Sequence, residues 1–582
     1  MAERIPRSVW LPPVLALLGS WLLAVLLTWP AVLDPSGGLV GHPGNDTWNH
    51  AWGFWWFSDS VANAGGLPSH TRLLNYPEGG TLFFIDGYNA VLSVILQGFL
   101  SLAATYNVLV MASLAWTAFG AWCLAWHVLR DQVGAAVAAV IYGSSAHLLA
   151  QTYNGITETI NAGWIPLYVL ALLRLLERPR LRNGIVLGLA MGLCALANFY
   201  YGLFAIVLTV LVVIHRLVRE PRRVRWKPFF AYAIGGAAVT VAMVMPVLNQ
   251  LSRTLDAPDA MVSRDPQFVW ESLLRHNMTD IRCYLTPGDF YSPDLKALYG
   301  EDLLIVVYLG WVAIGLALLG IVLRRRRREL GLWAWVFAVF LVFSMGPYLH
   351  LDGEYLRLNG RLIPLPFLPF FKAFPLFDRI SHPFRFVVPA TLALGILAGH
   401  GARLLLRGLH RPGRLAGGLV LCSAVLAEVL LGSPAVWPLP RSEAAVPTVY
   451  AELETDGAVL DLPITVPNLE RAVYTYYQTE HGLPTPYGLN EPLPRSLRMN
   501  RLTRFLVYLE SGRIISLPRL LPEADLVAGA NLLQAMGYRY LVVHESLLPA
   551  PKAEMVETVL SAVIGPPRRY PDERIALYEL AR

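Results

Sequence analysis

Apolar runs recur through the first three-quarters of the chain, most of them near the length that a helix needs to cross the hydrocarbon core of a bilayer, about 20 residues. Such a chain must close its backbone hydrogen bonds inside helices, because lipid offers no partner for a bare amide or carbonyl. Of its 582 residues, 55% are hydrophobic and 15% charged, and the mean hydropathy is +0.47. The reading is a polytopic membrane protein. Eleven spans fit: Trp10–Leu33, Tyr106–Leu129, Val133–Ala150, Ala162–Leu176, Gly184–Asn198, Tyr200–Val218, Pro228–Gln250, Leu303–Leu323, Leu330–Leu349, Phe384–Leu405 and Leu415–Trp437. The first ends without a small-residue cleavage site and reads as a retained signal anchor.

One further run, Tyr88 to Leu102, is read as an interfacial or re-entrant helix. With it uncounted, Arg4 and Arg7, Arg130, Arg178 to Arg182, Arg216 to Lys227, Arg324 to Arg328 and Arg403 to Arg414 all fall on one side, the cytoplasmic one. A formal net charge of +6 is therefore an orientation signal, and nucleic acid is not implied. The expected location is a bacterial inner or plasma membrane, with the N-terminus cytoplasmic. Residues 34–105, the turn around Thr152 to Asn161, Asn198 to Tyr201, Leu251 to Asp302, Asp352 to Pro383 and the region after Trp437 then face outward, which makes ATP and nucleotide sugars implausible substrates.

Composition divides the chain into a transmembrane domain, 1–437, with its first external loop at 34–105, and an extracytoplasmic domain, 438–582. In the second domain, short apolar strands at Gly457–Pro463, Tyr538–Val543 and Arg574–Leu580 alternate with helices at Asn468–His481, Arg501–Leu509, Leu526–Met536 and Ala553–Ile564, the pattern of a small α/β fold. Cys123, Cys194 and Cys422 sit in apolar spans and Cys283 stands alone in a loop, so neither a disulfide framework nor a thiolate metal site is available.

The polar residues that orientation does not explain cluster in a few places. Gly41 to Phe57 is a polar turn running into an aromatic segment. Asp46 and His50, four apart, share a face if a helix begins near Asn45 or Asp46, and Trp48, Trp52, Trp55 and Trp56 suit the interfacial layer. Asp46 reads as a catalytic base or metal ligand, or as an ordinary N-cap; His50 reads as a substrate or metal ligand, or as a polar interfacial residue. Asp86 reads as a second carboxylate or as the cap of the Tyr88 helix. Glu158, acidic in an apolar stretch, is costly unless paired or solvated. Arg379, His382 and Arg385 precede a span where a lipid phosphate would sit, although snorkelling arginines look the same. Asp280, Arg282 and Asp289, and the sequon at Asn277, have no ligand spacing. The C-terminal region offers Tyr477, Gln478 and His481 as substrate-binding groups.

This arrangement resembles the GT-C class of membrane glycosyltransferases. Asp46, the Tyr88 to Leu102 helix, Glu158 and residues 438–582 occupy the places of that class's first-loop acid, juxtamembrane helix, second acidic motif and soluble domain. Leu74-Asn-Tyr-Pro-Glu-Gly-Gly80, Pro383-Phe-Arg-Phe386 and Tyr476-Tyr-Gln-Thr-Glu-His-Gly482 look like passages of bacterial members, including the type implicated in glycosylating teichoic acids. The resemblance implies transfer of a sugar from a polyprenyl-phosphate carrier to an envelope glycan, lipid or protein. It makes Asp46, Glu158 and Asp86 the catalytic candidates and membrane lipids and a lipid-linked donor the partners. Mg or Mn at Asp46 and Glu158 is a possible cofactor; yet Asp46 lacks the paired acid common in the class, which leaves metal dependence open. A non-catalytic transporter or assembly component for envelope export is the alternative reading. Oligomeric state is not legible.

Overall fold

The computed structural model describes residues 11–44, 46–261, 266–275, 278–288, 303, 305–323, 329–374, 377–454, 456–467, 470–489, 492–517 and 522–580. Asn45, Arg4, Arg7, Asn277, Asp289 and Arg324 to Arg328 lie outside them. Among the described residues seven helices are long and apolar enough to cross a membrane: Leu102–Leu129, Gln132–Tyr153, Thr157–Glu177, Phe199–Arg219, Trp226–Leu255, Pro383–Leu405 and Arg411–Gly432. Shorter apolar helices occupy Leu11–Leu27, Leu181–Ala197, Trp311–Val322 and Leu330–Ser344.

The elements that matter for the site come early in the chain. They are α1 (Leu11–Leu27), β1 (Gly38–Val40), α2 (Thr47–Asp59), α3 (Gly87–Leu96), α4 (Leu102–Leu129), α5 (Gln132–Gly143), α6 (Ala146–Tyr153) and α7 (Thr157–Ile160). The Tyr88 run is α3, only ten residues long and opened by Asp86, whose side chain accepts the Asn89 N–H. Close helix approach relies on small residues, as it does in lipid generally. A Cβ on Gly134 of α5 would come within 2.5 Å of the Gly399 carbonyl on the helix Val387–Leu405.

The expected span Leu303–Leu323 is corrected: its helix begins only at Trp311, because Gly310 adopts a positive φ of 84°. Glu428, from the helix Arg411–Gly432, caps it, accepting the Trp311 and Val312 N–H groups at 2.6 and 3.0 Å. Residues 305 to 309, read as membrane helix, are instead a buried segment without regular secondary structure.

The C-terminal region holds a four-stranded sheet in the order Arg568–Tyr570, Ile575–Glu579, Tyr538–His544, Ala458–Leu462. Ala458–Leu462 and Tyr538–His544 run parallel, so a crossover must join them, and the helices Ala472–His481, Arg495–Met499, Arg501–Glu510 and Glu523–Ala535 lie in that connection. The region is knitted to the first loop. The strand Arg441–Glu443 pairs antiparallel with β1, which Asn107 of α4 holds through its side-chain bonds to Val40 N–H and Gly38 O at 2.8 and 2.7 Å. Tyr76 donates to Met536 O, and Tyr538 donates to Tyr76 O, each at 2.7 Å.

Candidate active site

Four segments remote in sequence meet at the start of α2. Asp46 precedes the helix at its N-cap position, but its side chain makes no capping bond. The carboxylate instead accepts Asn49 Nδ2 at 3.1 Å, while the Asp46 N–H donates to Asn154 O at 3.0 Å and so fixes α2 against the end of α6. One turn on, His50 is buried. Its Nδ1 lies 3.4 Å from Asp86 and its Nε2 3.4 Å from Glu158. The Glu158 carboxylate faces Arg385 Nη2 at 3.9 Å on its other oxygen, and Arg385 lies over the Tyr200 ring at 5.1 Å. The result is a buried row of alternating charge, Asp86, His50, Glu158, Arg385.

Packing supplies each member. Phe84, two residues before Asp86, sits against Gly53 of α2 so closely that a Cβ on that glycine would come within 2.0 Å of the ring. Asp86 is fully buried and held by Asn89 Nδ2 at 3.0 Å and by the Thr157 hydroxyl; Thr157 also lies 2.8 Å from His50 Nδ1. Thr157 and Glu158 share the single turn α7, which Asn198 braces by donating to Glu158 O at 3.4 Å. Burial pushes the His50 imidazole down, but the Asp86 hydrogen bond and the charges of Glu158, Asp86 and Asp46 outweigh it and raise the group to about 9. His50 is therefore an imidazolium at neutral pH.

The sequence candidates part company here. Asp46, His50, Asp86, Glu158 and Arg385 converge. His382 is one step away, its N–H donating to the Tyr200 hydroxyl at 3.3 Å. Arg379 is more than half exposed and faces Asp378 at 3.8 Å. Gln478 does not line the site: it is fully buried, accepting Trp52 Nε1–H at 2.7 Å and donating to Leu73 O and Leu483 O, so its amide fastens the C-terminal region to α2. Tyr477 and His481 belong to an aromatic stack around Tyr450 in that region, and burial lowers His481 to about 4. The expectation of interfacial tryptophans is also corrected. Trp48, Trp52 and Trp56 are buried in protein, Trp48 against Tyr476 and Trp52 under Gln478. Asn89, Thr157 and Tyr200 went unnoticed in the sequence, and nothing but tertiary proximity marks them.

A divalent ion at Asp46 and Glu158 would compete with groups already at Glu158, whose two oxygens face His50 Nε2 at 3.4 Å and Arg385 Nη2 at 3.9 Å; no group of three or more His, Cys, Asp or Glu residues placed to hold a metal occurs among the described residues.

No family model matches the chain, and no curated protein does. Among solved structures, the arabinofuranosyltransferase AftD from Mycobacteria is similar over 100% of this chain and 40% of its own, at 15% identity and a TM-score of 0.55. This chain has the GT-C fold. A second AftD structure is similar over 93% of this chain and 37% of its own, at 17% identity and a TM-score of 0.51. ArnT from Cupriavidus metallidurans bound to undecaprenyl phosphate is similar over 99% of each chain, at 13% identity and a TM-score of 0.42. The chain thus spans well under half of AftD. Within the GT-C fold of this chain, the charged row lies where α2, α3 and α7 meet the segment leading into the helix Val387–Leu405.

Proposed function

We propose that this protein is an integral-membrane glycosyltransferase that moves a sugar from a polyprenyl-phosphate carrier to an extracytoplasmic acceptor, an envelope glycan, lipid or protein. One observation carries the reading: a buried row of paired charges, Asp86, His50, Glu158 and Arg385, beside a half-buried carboxylate, Asp46, in a GT-C fold. Burying four ionisable groups is expensive even when they are paired, and such clusters gather at functional sites.

The roles follow from access and charge. Asp46, which no cation pairs with in the row, takes the proton of the acceptor hydroxyl as its oxygen attacks the anomeric carbon. The bond from that carbon to the carrier phosphate breaks, and the phosphate leaves with the electron pair. His50 and Arg385 supply positive charge for it, while Asp86 and Glu158 hold those cations in place. With the arginine clusters cytoplasmic, eleven crossings put this site and the C-terminal region outside. The test is glycan and lipid profiling of a deletion strain restored with wild type or with Glu158→Gln. One envelope glycoconjugate should vanish on deletion and return only with wild type; full restoration by the variant sinks the assignment.

A further inference from the structure

On the α6 side, the charged row is bordered by two buried groups with no part in the mechanism above. His147 and Gln151 are one turn apart on the same face of α6, and both are buried almost completely. His147 Nδ1 lies 3.1 Å from Val306 O. A carbonyl only accepts, so Nδ1 carries the proton. A second proton on Nε2 would bury another cation near Arg385, whose neighbour Phe384 meets the His147 ring edge-on at 6.0 Å. Nε2 is therefore a lone pair, and it has no hydrogen-bond partner among the described residues. The hydroxyl of Thr159, the residue after Glu158, gives its one proton to Ile156 O at 2.8 Å and lies 3.2 Å from the Gln151 amide, so Thr159 meets one end of that amide and the other end has no partner among the described residues.

Resting on the transferase reading, we propose that His147 and Gln151 form the subsite that binds the hydroxyl groups of the transferred sugar. A buried imidazole acceptor and one buried end of an amide, each costly when left alone, lie one turn apart on α6 and need a ligand that donates to Nε2 and that donates to or accepts from the amide. The polyprenyl chain does neither, and an ionised phosphate cannot donate to Nε2. Hydroxyls on one sugar ring do both, and the pair abuts the neighbours of Glu158 and Arg385, where the sugar must sit if the carrier phosphate meets Arg385.

The experiment measures binding of undecaprenyl phosphate, bare or carrying glucose, N-acetylglucosamine or arabinofuranose, to full-length protein in nanodiscs. Two variants are compared with wild type. His147→Asn keeps a donor near the Nδ1 position for Val306 O and removes Nε2; Gln151→Met removes the amide at nearly constant volume. Wild type should bind at least one sugar-bearing lipid more tightly than the bare carrier, and each variant should lose about threefold to tenfold of that gain with bare-carrier affinity unchanged. Retention of the gain overturns the subsite alone. Equal weakening of bare and sugar-bearing lipid shows a structural role and also overturns it. If wild type binds none of the lipids, the transferase reading fails and the subsite with it. Thermal unfolding reports folding, and if one variant does not fold, the other decides.

Discussion

Replacing one oxygen of Asp46 with an amide separates two jobs the residue can do. The Asp46 side chain makes no capping bond to lose, and asparagine keeps an oxygen for the Asn49 amide, now 3.1 Å away. Asp46→Asn should leave the unfolding temperature nearly unchanged and lower transfer from a polyprenyl-linked sugar by about 10² to 10⁴. Near-wild-type turnover by folded variant would remove Asp46 from the chemistry. For His50 the sign is set by a folded-state value raised from 6.5 to about 9. The stability it contributes is complete below pH 6.5 and is lost as pH rises through about 9. Thermal unfolding of wild type should therefore fall over that alkaline window more steeply than that of His50→Gln. Parallel profiles would mean that His50 is not charged in the fold.

At the scale of elements, α2 acts as the beam of the site, and two contacts set its position. Gly53→Ala places a methyl where the Phe84 ring already lies, 2.0 Å away. Overpacking of this kind costs about 1 to 3 kcal/mol, and because Phe84 leads into Asp86, transfer should fall along with the unfolding temperature. Unaltered activity would show that the segment carrying Asp86 moves freely of α2. One residue away, Gln478→Leu strips partners from Trp52 Nε1, Leu73 O and Leu483 O, at about 1 to 3 kcal/mol for each buried group left unpaired. The expected readout is a large drop in thermal stability without loss of the sugar preference of the remaining folded protein. A change in that preference at unchanged stability would restore Gln478 to the binding site.

For the whole molecule, the joint between the first loop and the C-terminal region gives two sequence motifs a use. Leu74 to Gly80 and Tyr476 to Gly482 look like family signatures, and in the fold they are docking segments: Tyr76 reaches Met536 and Tyr538, and Gln478 reaches Trp52 and Leu73. Both sides of this joint share one side of the membrane, and the topology proposed from the arginine parity puts that side outside. Reporter fusions after Arg325 and after Arg582 should accordingly report opposite sides, cytoplasmic and external. Two cytoplasmic signals would overturn the eleven-crossing topology and the outward placement of the site.

The sequence alone determined what depends on neighbours along the chain. Hydropathy over windows of about 20 residues marks helices that can cross a bilayer, and short apolar runs between helical stretches marked the strands Ala458–Leu462 and Tyr538–His544 to within a residue or two. It also supplied the individual acids, Asp46 and Asp86 at the starts of candidate helices and Glu158 as a carboxylate made conspicuous by its cost in an apolar stretch. Only the tertiary structure decided that Asp86 and Glu158 grip opposite nitrogens of His50, that Arg385 closes the row, and that Arg379, six residues earlier, does not. It likewise buried Trp48, Trp52 and Trp56 of α2 in protein, Trp52 beneath a helix more than 400 residues later. Local periodicity carries no record of which remote face a residue will meet; that is set by how whole elements pack, and the chemistry of this site lies in those meetings.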